Sequence, residues 1–369
     1  MKQINIREGG RISGRQLFAI LVLMRLEGTT LILPEISSAA AGRAAWLSIL
    51  IAILAAVPFG GLAAWLGIRF PRQTIIQYSK IVLGKPLGLL VSLLYVWQAL
   101  HVAALVTKQL SLVYIFDIMP RTPLIVFIVT AVLLAAVAAR QGIEAIARMA
   151  EGSFLLIIAS ILLIPALSFN LFRVDNLAPV LETGAAPVLA GSVISFTLFE
   201  ILFVNMVIPF LKEPEQATRW IIYAVLTSGI IVALTAVSIT AVFGVTAADI
   251  FIPFLSLSRT VRIANFIEQI EILVLAIWTL MAFIKISFLI WIGTLGIGQI
   301  FNLTDYREMT YPVGFLVVLL ATLVYENFYE LVHFLSPQVV GIYSLIVQGF
   351  IIVLPAFVSK VTKRRGEIS

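Results

Sequence analysis

Apolar residues run in blocks of roughly 20 along the chain, separated by short polar connections rather than alternating with polar positions. A helix needs about 20 mainly apolar residues to cross the hydrocarbon core. Ten segments meet that requirement and are predicted as membrane-spanning helices: about 14–37, 43–68, 86–115, 122–140, 149–170, 184–211, 217–244, 265–295, 309–329 and 337–359. The period-2 alternation of an outer-membrane barrel is missing, so an all-α polytopic membrane protein is expected. No linker or soluble domain interrupts the pattern, and residues 1–369 read as a single transmembrane domain. The first five spans (about 14–170) and the last five (about 184–359) divide it into halves of equal span number. The longest polar connections are 171–183 and 245–263. The second carries Asp249, Pro253, Ser256, Ser258, Arg259 and Arg262, and reads equally as a short helix over the mouth or as a solvated loop.

Composition sharpens this picture. Hydrophobic residues make up 61% of the chain, charged residues 12%, and the mean hydropathy is +1.09. A soluble domain carries about 25% charge, so soluble enzymes, disordered tails and nucleic-acid binders are excluded. Cysteine is absent and there are 2 histidines, which leaves no disulfide, no thiolate cluster and no histidine cage. No cofactor and no metal are expected.

The net charge of +6 is explained by topology. With ten spans, both termini lie on one side. Of the Lys and Arg residues, Arg43, Arg121, Arg173, Arg259 and Arg262 fall on the opposite side, and Arg25, Lys108 and Lys285 fall within spans. The rest collect on the side of the termini, which the positive-inside rule makes cytoplasmic. These charges face anionic headgroups, so membrane lipid is the expected partner and nucleic acid is not. The first span lacks a small-residue cleavage site and carries internal charges, so it is expected to remain in the mature protein.

Ionisable side chains at membrane depth are costly and normally face a cavity or a partner. Glu27, His101, Lys108, Glu200 and Lys285 are such residues, with Arg25 close by. In the first span, Arg25-Leu26-Glu27-Gly28-Thr29-Thr30 interrupts an apolar run that ends at Pro34. Glycine and β-branched threonine are weak helix formers. A helix broken there would expose backbone groups to line a site, as the discontinuous helices of secondary transporters do. The alternative is a kinked helix with Glu27 salt-bridged to Arg25 or to another span. The sixth span carries a matching interruption: Ser192, Ser195, Thr197 and Glu200 precede Asn205 and Pro209. Hydroxyls there either cap an unwound turn or mediate close helix packing. Spans one and six lead the two halves, and interruptions at corresponding places point to a shared binding site.

In the third span, Gln98, His101, Val102 and Leu105 share one helix face, with Lys108 two turns beyond His101. Gln98 and His101 serve either a pocket or interhelical hydrogen bonding. In the eighth span, Trp278, Met281, Lys285 and Phe288 share a face. Lys285 is expected to pair with Glu27 or Glu200, or to titrate in a dry pocket. No nucleophile–base pair or metal spacing is readable, so an enzyme is not expected.

Several stretches together resemble the spore germination permeases, the membrane-embedded B subunits of germinant receptors. They are PFLSLSRTVRIANFIEQIEILVLAIWTLMAFIKIS (Pro253 to Ser287), ISGRQLFAI followed by GTTLILP, AGRAAWLS (Ala41 to Ser48), RTP (Arg121 to Pro123) and DNLAPVL (Asp175 to Leu181). The resemblance covers the whole chain and places it in the amino acid–polyamine–organocation superfamily. It implies a LeuT-type fold: two inverted five-helix repeats with helices one and six broken. It also implies a sensor that binds a small germinant, an amino acid or similar nutrient, and signals to receptor A and C subunits at the inner spore membrane. Carried over by position, the ligand would be bound by Glu27, Gly28 and Thr29, by Gln98, His101 and Val102, by Ser195, Thr197 and Glu200, and by Lys285. The family usually has a G-x-G break in the first span, where this chain has Glu27 and Thr29. A carboxylate there would repel a ligand carboxylate unless Lys285 or Arg25 neutralised it; alternatively it would receive a ligand ammonium. A proton-coupled amino-acid permease is the alternative function, since sensor and carrier share the fold. An ion or water conduit opened by the nutrient is a third reading.

Overall fold

The computed structural model describes residues 9–30, 41–182, 184–250, 252–261, 270–324, 328–364 and 366, and the side chains of 29, 30, 328, 329, 332 and 337 are not described. The described residues are almost wholly helical, with one isolated bridge between Ile12 and Leu211 as the extended pairing. The helices are α1 (Gly14–Thr30), α2 (Ala45–Ile68), α3 (Ile75–Leu83), α4 (Lys85–Asp117), α5 (Leu124–Arg140), α6 (Ile143–Leu167), α7 (Ala185–Thr197), α8 (Val204–Val207), α9 (Ala217–Phe243), α10 (Pro253–Thr260), α11 (Ile270–Phe301), α12 (Thr310–Leu323), α13 (Phe328–Phe334), α14 (Ile342–Gln348) and α15 (Leu354–Val361).

Seven helical stretches among the described residues are long and apolar enough to cross a membrane: Gly42–Ile68, Lys85–Asp117, Ile143–Leu171, Ala185–Phe210, Pro214–Asp249, Ile270–Phe301 and Gln338–Val361. The chain is an integral membrane protein. Three expected spans are shorter than a full crossing as described. At 1.5 Å per residue, α1 and α5 each reach about 25 Å and α12 about 21 Å. The first span was expected to reach residue 37, and its end with Pro34 lies outside the described residues, as do the start of the eighth span, Arg262 and residues 325–327 of the ninth. The fifth span begins at Ile143, earlier than expected, because Gly142 with φ +89° ends the preceding turn and a new helix starts at once.

Short elements between the long helices have local causes. Thr74 and Gln77 form a reciprocal capping box at the start of α3. Gly84, at φ +82°, turns the chain into α4, whose second residue is Pro86. The α3–α4 pair packs backbone to backbone: a Cβ on Gly88 would lie 2.4 Å from the Cα of Lys80. The 245–263 connection contains the helix α10, and Arg259 on it binds Asp117 at the end of α4 at 2.8 Å. On the other side of the bundle the Ile12 backbone donates to Phe210 and accepts from Lys212, both at 2.9 Å. The Arg11 guanidinium donates to the carbonyls of Pro209 and Leu211. Both ends of the bundle are thereby fastened around its middle.

Because Gly88 meets backbone that cannot swing aside, Gly88→Val is expected to cost at least about 1–3 kcal/mol by overpacking. Thermal unfolding of the purified chain in detergent measures this, with Gly61→Val, where a Cβ meets nothing within 4 Å, as the neutral reference.

Candidate functional site

The sixth membrane segment breaks where the polar residues predicted it. Helix α7 runs for 13 residues, about 20 Å, and so ends near mid-membrane. Glu200 follows with φ 52° and ψ 30°, a left-handed conformation that a non-glycine residue adopts at a cost of about 1–2 kcal/mol. A 3-10 turn at Ile201–Phe203 and the single turn α8 resume the path. The strain at Glu200 is offset by what its side chain reaches: Oε1 lies 2.9 Å from Nζ of Lys285, in the middle of α11.

Lys285 has a second acidic neighbour. Its Nζ is 3.1 Å from Oε2 of Glu27 on α1 and donates to the Met24 carbonyl at 3.3 Å. Arg25, one residue beyond Met24, donates to the Ser195 hydroxyl on α7 at 2.8 Å. Its guanidinium stacks 4.0 Å over the Phe199 ring inside the break and feels the charge of Glu200. Two cations and two carboxylates thus tie α1, α7 and α11 together, all of them buried at 6% exposure or less. Oε1 of Glu27 and Oε2 of Glu200 accept no hydrogen bond among the described residues.

The first span differs from the expectation. Its helix continues through Arg25, Glu27 and Gly28 to Thr30, so the interruption is not at Glu27–Thr29. The helix persists because its charged side chains are answered sideways, by Lys285 and Ser195, and its backbone need not unwind to receive them. Tertiary contact overrides the weak propensity of Gly28 and the threonines. Gly28 serves another purpose: a Cβ there would lie 3.4 Å from Nζ of Lys285. The Thr29 side chain lies outside the described residues.

The remaining expected site residues divide. Ser195, Glu200, Glu27, Gly28 and Lys285 converge on one point. Thr197 is buried at the break, but its hydroxyl back-bonds to Ile194 at 2.8 Å, and its carbonyl is the group that faces a partner. Gln98 and His101 belong to an aromatic cluster between α4 and the C-terminal helices. Tyr343 donates to Oε1 of Gln98 at 2.9 Å, and His101 stacks on Trp97 with centroids 5.5 Å apart. Phe334 and Tyr343 meet the imidazole edge-on. Val102 is part-buried against the core. Lys108 is buried on α4 and senses Glu330 rather than the central acids.

Three residues join the centre that were not among the expected ligands. Trp278 donates its indole N–H to the Glu27 carbonyl at 3.1 Å, Phe199 carries Arg25, and Gln348 donates to the Thr197 carbonyl at 3.1 Å. Trp278 was legible as a face-mate of Lys285; the other two bear no sequence signal beyond being polar or aromatic in an apolar run. Two narrow apolar cavities flank the centre. One, of about 10 Å³, is bordered by Trp278, Met281, Ser160 and Phe254. The other, also of about 10 Å³, is bordered by Phe199, Leu21, Ile221 and Ser228.

Removing one partner of a buried ion pair leaves an uncompensated charge and costs about 3–5 kcal/mol. Lys285→Met is therefore expected to lower the unfolding midpoint strongly, and Lys285→Met combined with Glu27→Gln, which leaves Glu200 balanced by Arg25, to recover most of it. Thermal melts of the single and double variants measure the difference; a Lys285→Met protein as stable as the parent would make the lysine peripheral.

Comparison with known proteins places this geometry. The chain is 28% identical over 301 residues to Spore germination protein YndE of Bacillus subtilis (strain 168), covering 79% of this chain and 82% of the relative. It is 28% identical over 335 residues to Spore germination protein KB of the same organism, covering 88% and 87%. Among solved structures it resembles MhsT in complex with L-phenylalanine, with a TM-score of 0.69 at 13% identity over 95% of this chain and 89% of that one. It also resembles a Na+-coupled sialic acid symporter in a substrate-bound outward-open state, with a TM-score of 0.62 at 17% identity over 96% and 81%. These similarities assign the LeuT-type transporter fold. A family model described as "Spore germination protein" matches residues 11–330, and the chain belongs to that family.

Proposed function

We propose that this chain is the nutrient-sensing membrane subunit of a spore germinant receptor. It binds a small germinant carrying an ammonium group, an amino acid in the first instance, between α1, the α7–α8 break and α11. The observation that carries this reading is the pair of buried carboxylates, Glu27 and Glu200, that flank Lys285 and each keep an oxygen free of hydrogen bonds among the described residues. A buried acceptor without a donor is costly, and a ligand ammonium is a donor of the right charge. A ligand carboxylate would meet Arg25 or a released Lys285. An amino acid therefore exchanges one set of ion pairs for another without changing the net charge of the site.

On this reading the chain forms one transmembrane domain of two five-helix repeats in the inner spore membrane, with both termini cytoplasmic. Its partners are the A and C receptor subunits. Binding acts by favouring one arrangement of the bundle over another, which requires a ligand with different affinity for the two.

The test is a thermal-shift screen of the purified chain against amino acids, nucleosides and sugars. A binder present at about 100 times its Kd stabilises the fold by about 2.7 kcal/mol. Gly28→Ala fits at ordinary contact distance and is expected to retain the shift. Gly28→Leu presses on Nζ of Lys285 and is expected to abolish the shift while leaving membrane insertion intact. A full shift in Gly28→Leu would place the site elsewhere, and uptake of labelled amino acid into proteoliposomes holding this chain alone would replace the receptor with a carrier.

A further inference from the structure

The C-terminal membrane segment, Gln338–Val361, is not a regular α-helix. It contains two π-helical stretches, Pro337–Gly341 and Gly349–Val353, on either side of α14. A π turn holds an extra residue, is rarely stable without a reason, and tends to occur at functional positions. Gln348, the last residue of α14, stands immediately before the second one and is buried at 3% exposure. Its amide donates 3.1 Å to the carbonyl of Thr197, the last helical residue before the break in the sixth segment. The next residue, Gly349, is not there for lack of space, because a Cβ on it would meet nothing within 4 Å. Glycine at that position lowers the cost of an irregular backbone.

The two ends of this contact both adjoin irregular backbone. Only Leu198 and Phe199 separate Thr197 from the left-handed Glu200, whose carboxylate is held on Lys285. Transferring that carboxylate to another cation turns a strained residue, and the Thr197 peptide turns with it. One turn earlier in the C-terminal segment, Tyr343 donates to Gln98 and accepts from Trp97 on α4. That side of α14 is thus held to a different helix, so a displacement of Gln348 falls on the π turn at Gly349–Val353.

We propose that Gln348 is a positioning residue that couples the Thr197–Glu200 break to the π turn of the C-terminal segment, so that a change at the charged centre is passed to that segment. The assignment of a ligand to the centre rests on the function proposed above, whereas the coupling itself concerns this chain alone. Coupling between two sites is reciprocal, and that supplies the test. Amide hydrogen exchange of the purified chain is measured in residues 198–203, in residues 349–353 and in α5 as a reference. Gln348→Met keeps the size of the side chain and removes the donor. Losing one buried hydrogen bond is expected to raise exchange in 198–203 by about tenfold, with α5 at the parent rate. Glu200→Gln, made at the other end, is expected to raise exchange in 349–353. Faster exchange confined to the C-terminal segment in Gln348→Met, or to 198–203 in Glu200→Gln, would overturn the proposal and leave Gln348 as simple helix glue. If Gln348→Met does not fold, Gly349→Ala fits without a clash. It is expected to slow exchange in 349–353 and 198–203 together, and slowing in 349–353 alone would overturn the coupling. None of these measurements uses a germinant, so a negative ligand screen and a negative exchange result fail separately.

Discussion

Lys285 between two carboxylates is the contact on which the centre of this protein depends. Glu27 and Glu200 come from different halves of the chain, and both are buried. Two carboxylates that close repel each other strongly in a medium of low dielectric, so α1 and the α7–α8 break can share that space only with a cation between them. Lys285 supplies it from α11, and Arg25 balances the second negative charge while bonding Ser195 and stacking on Phe199. Ion pairs of this kind are weak evidence for stability, since an apolar replacement often does as well. What they provide here is register: each charge is satisfied in one relative placement of three helices.

The same centre explains why the helices end and resume where they do. A lipid environment demands that backbone groups be satisfied internally, and irregular backbone survives only where protein supplies partners. At the break, the Thr197 carbonyl receives Gln348, and the carbonyls of Leu202 and Phe203 receive the Tyr95 hydroxyl. On the next turn, Asn205 accepts from Tyr78. Side chains from α3, α4 and the C-terminal segment thus take over hydrogen bonds that a continuous helix would make with itself. The contacts at either end of the bundle, Arg259 with Asp117 and the Ile12 backbone with the Phe210–Lys212 stretch, hold these donors in place from outside.

This division also governs what could be read from the residues alone. The all-helical membrane architecture and the break in the sixth segment were legible because lipid penalises any polar residue without a purpose, so Ser195, Thr197, Glu200 and Asn205 stand out against their neighbours. Pairing of Lys285 with Glu27 or Glu200 was legible for the same reason, although not that it takes both. The first helix stays wound through Glu27–Thr29 because lateral partners hold it, which propensity alone does not register, and the stretch after Thr30 lies outside the described residues. Gln98 and His101 share a face as their spacing required, yet spacing on α4 says nothing about which helix lies opposite, and it is the C-terminal one. Gln348 was invisible: its partner is a main-chain oxygen 151 residues away, and a carbonyl has no letter in a sequence.

A site whose charges already pair with one another imposes a quantitative condition on any ligand. To carry a two-state protein from 1:99 to 99:1, a ligand must prefer one state by about 5.5 kcal/mol. The apolar cavities, of about 10 Å³ each, hold no more than about one water, so a molecule acting through them alone would shift little. One that takes Glu27 or Glu200 away from Lys285 would break a contact of the arrangement seen here and make a new one, so each exchanged ion pair would count toward the difference. Charge exchange at the break is therefore a more effective lever than cavity filling, and it acts on the residue whose backbone leads directly to Thr197 and Gln348.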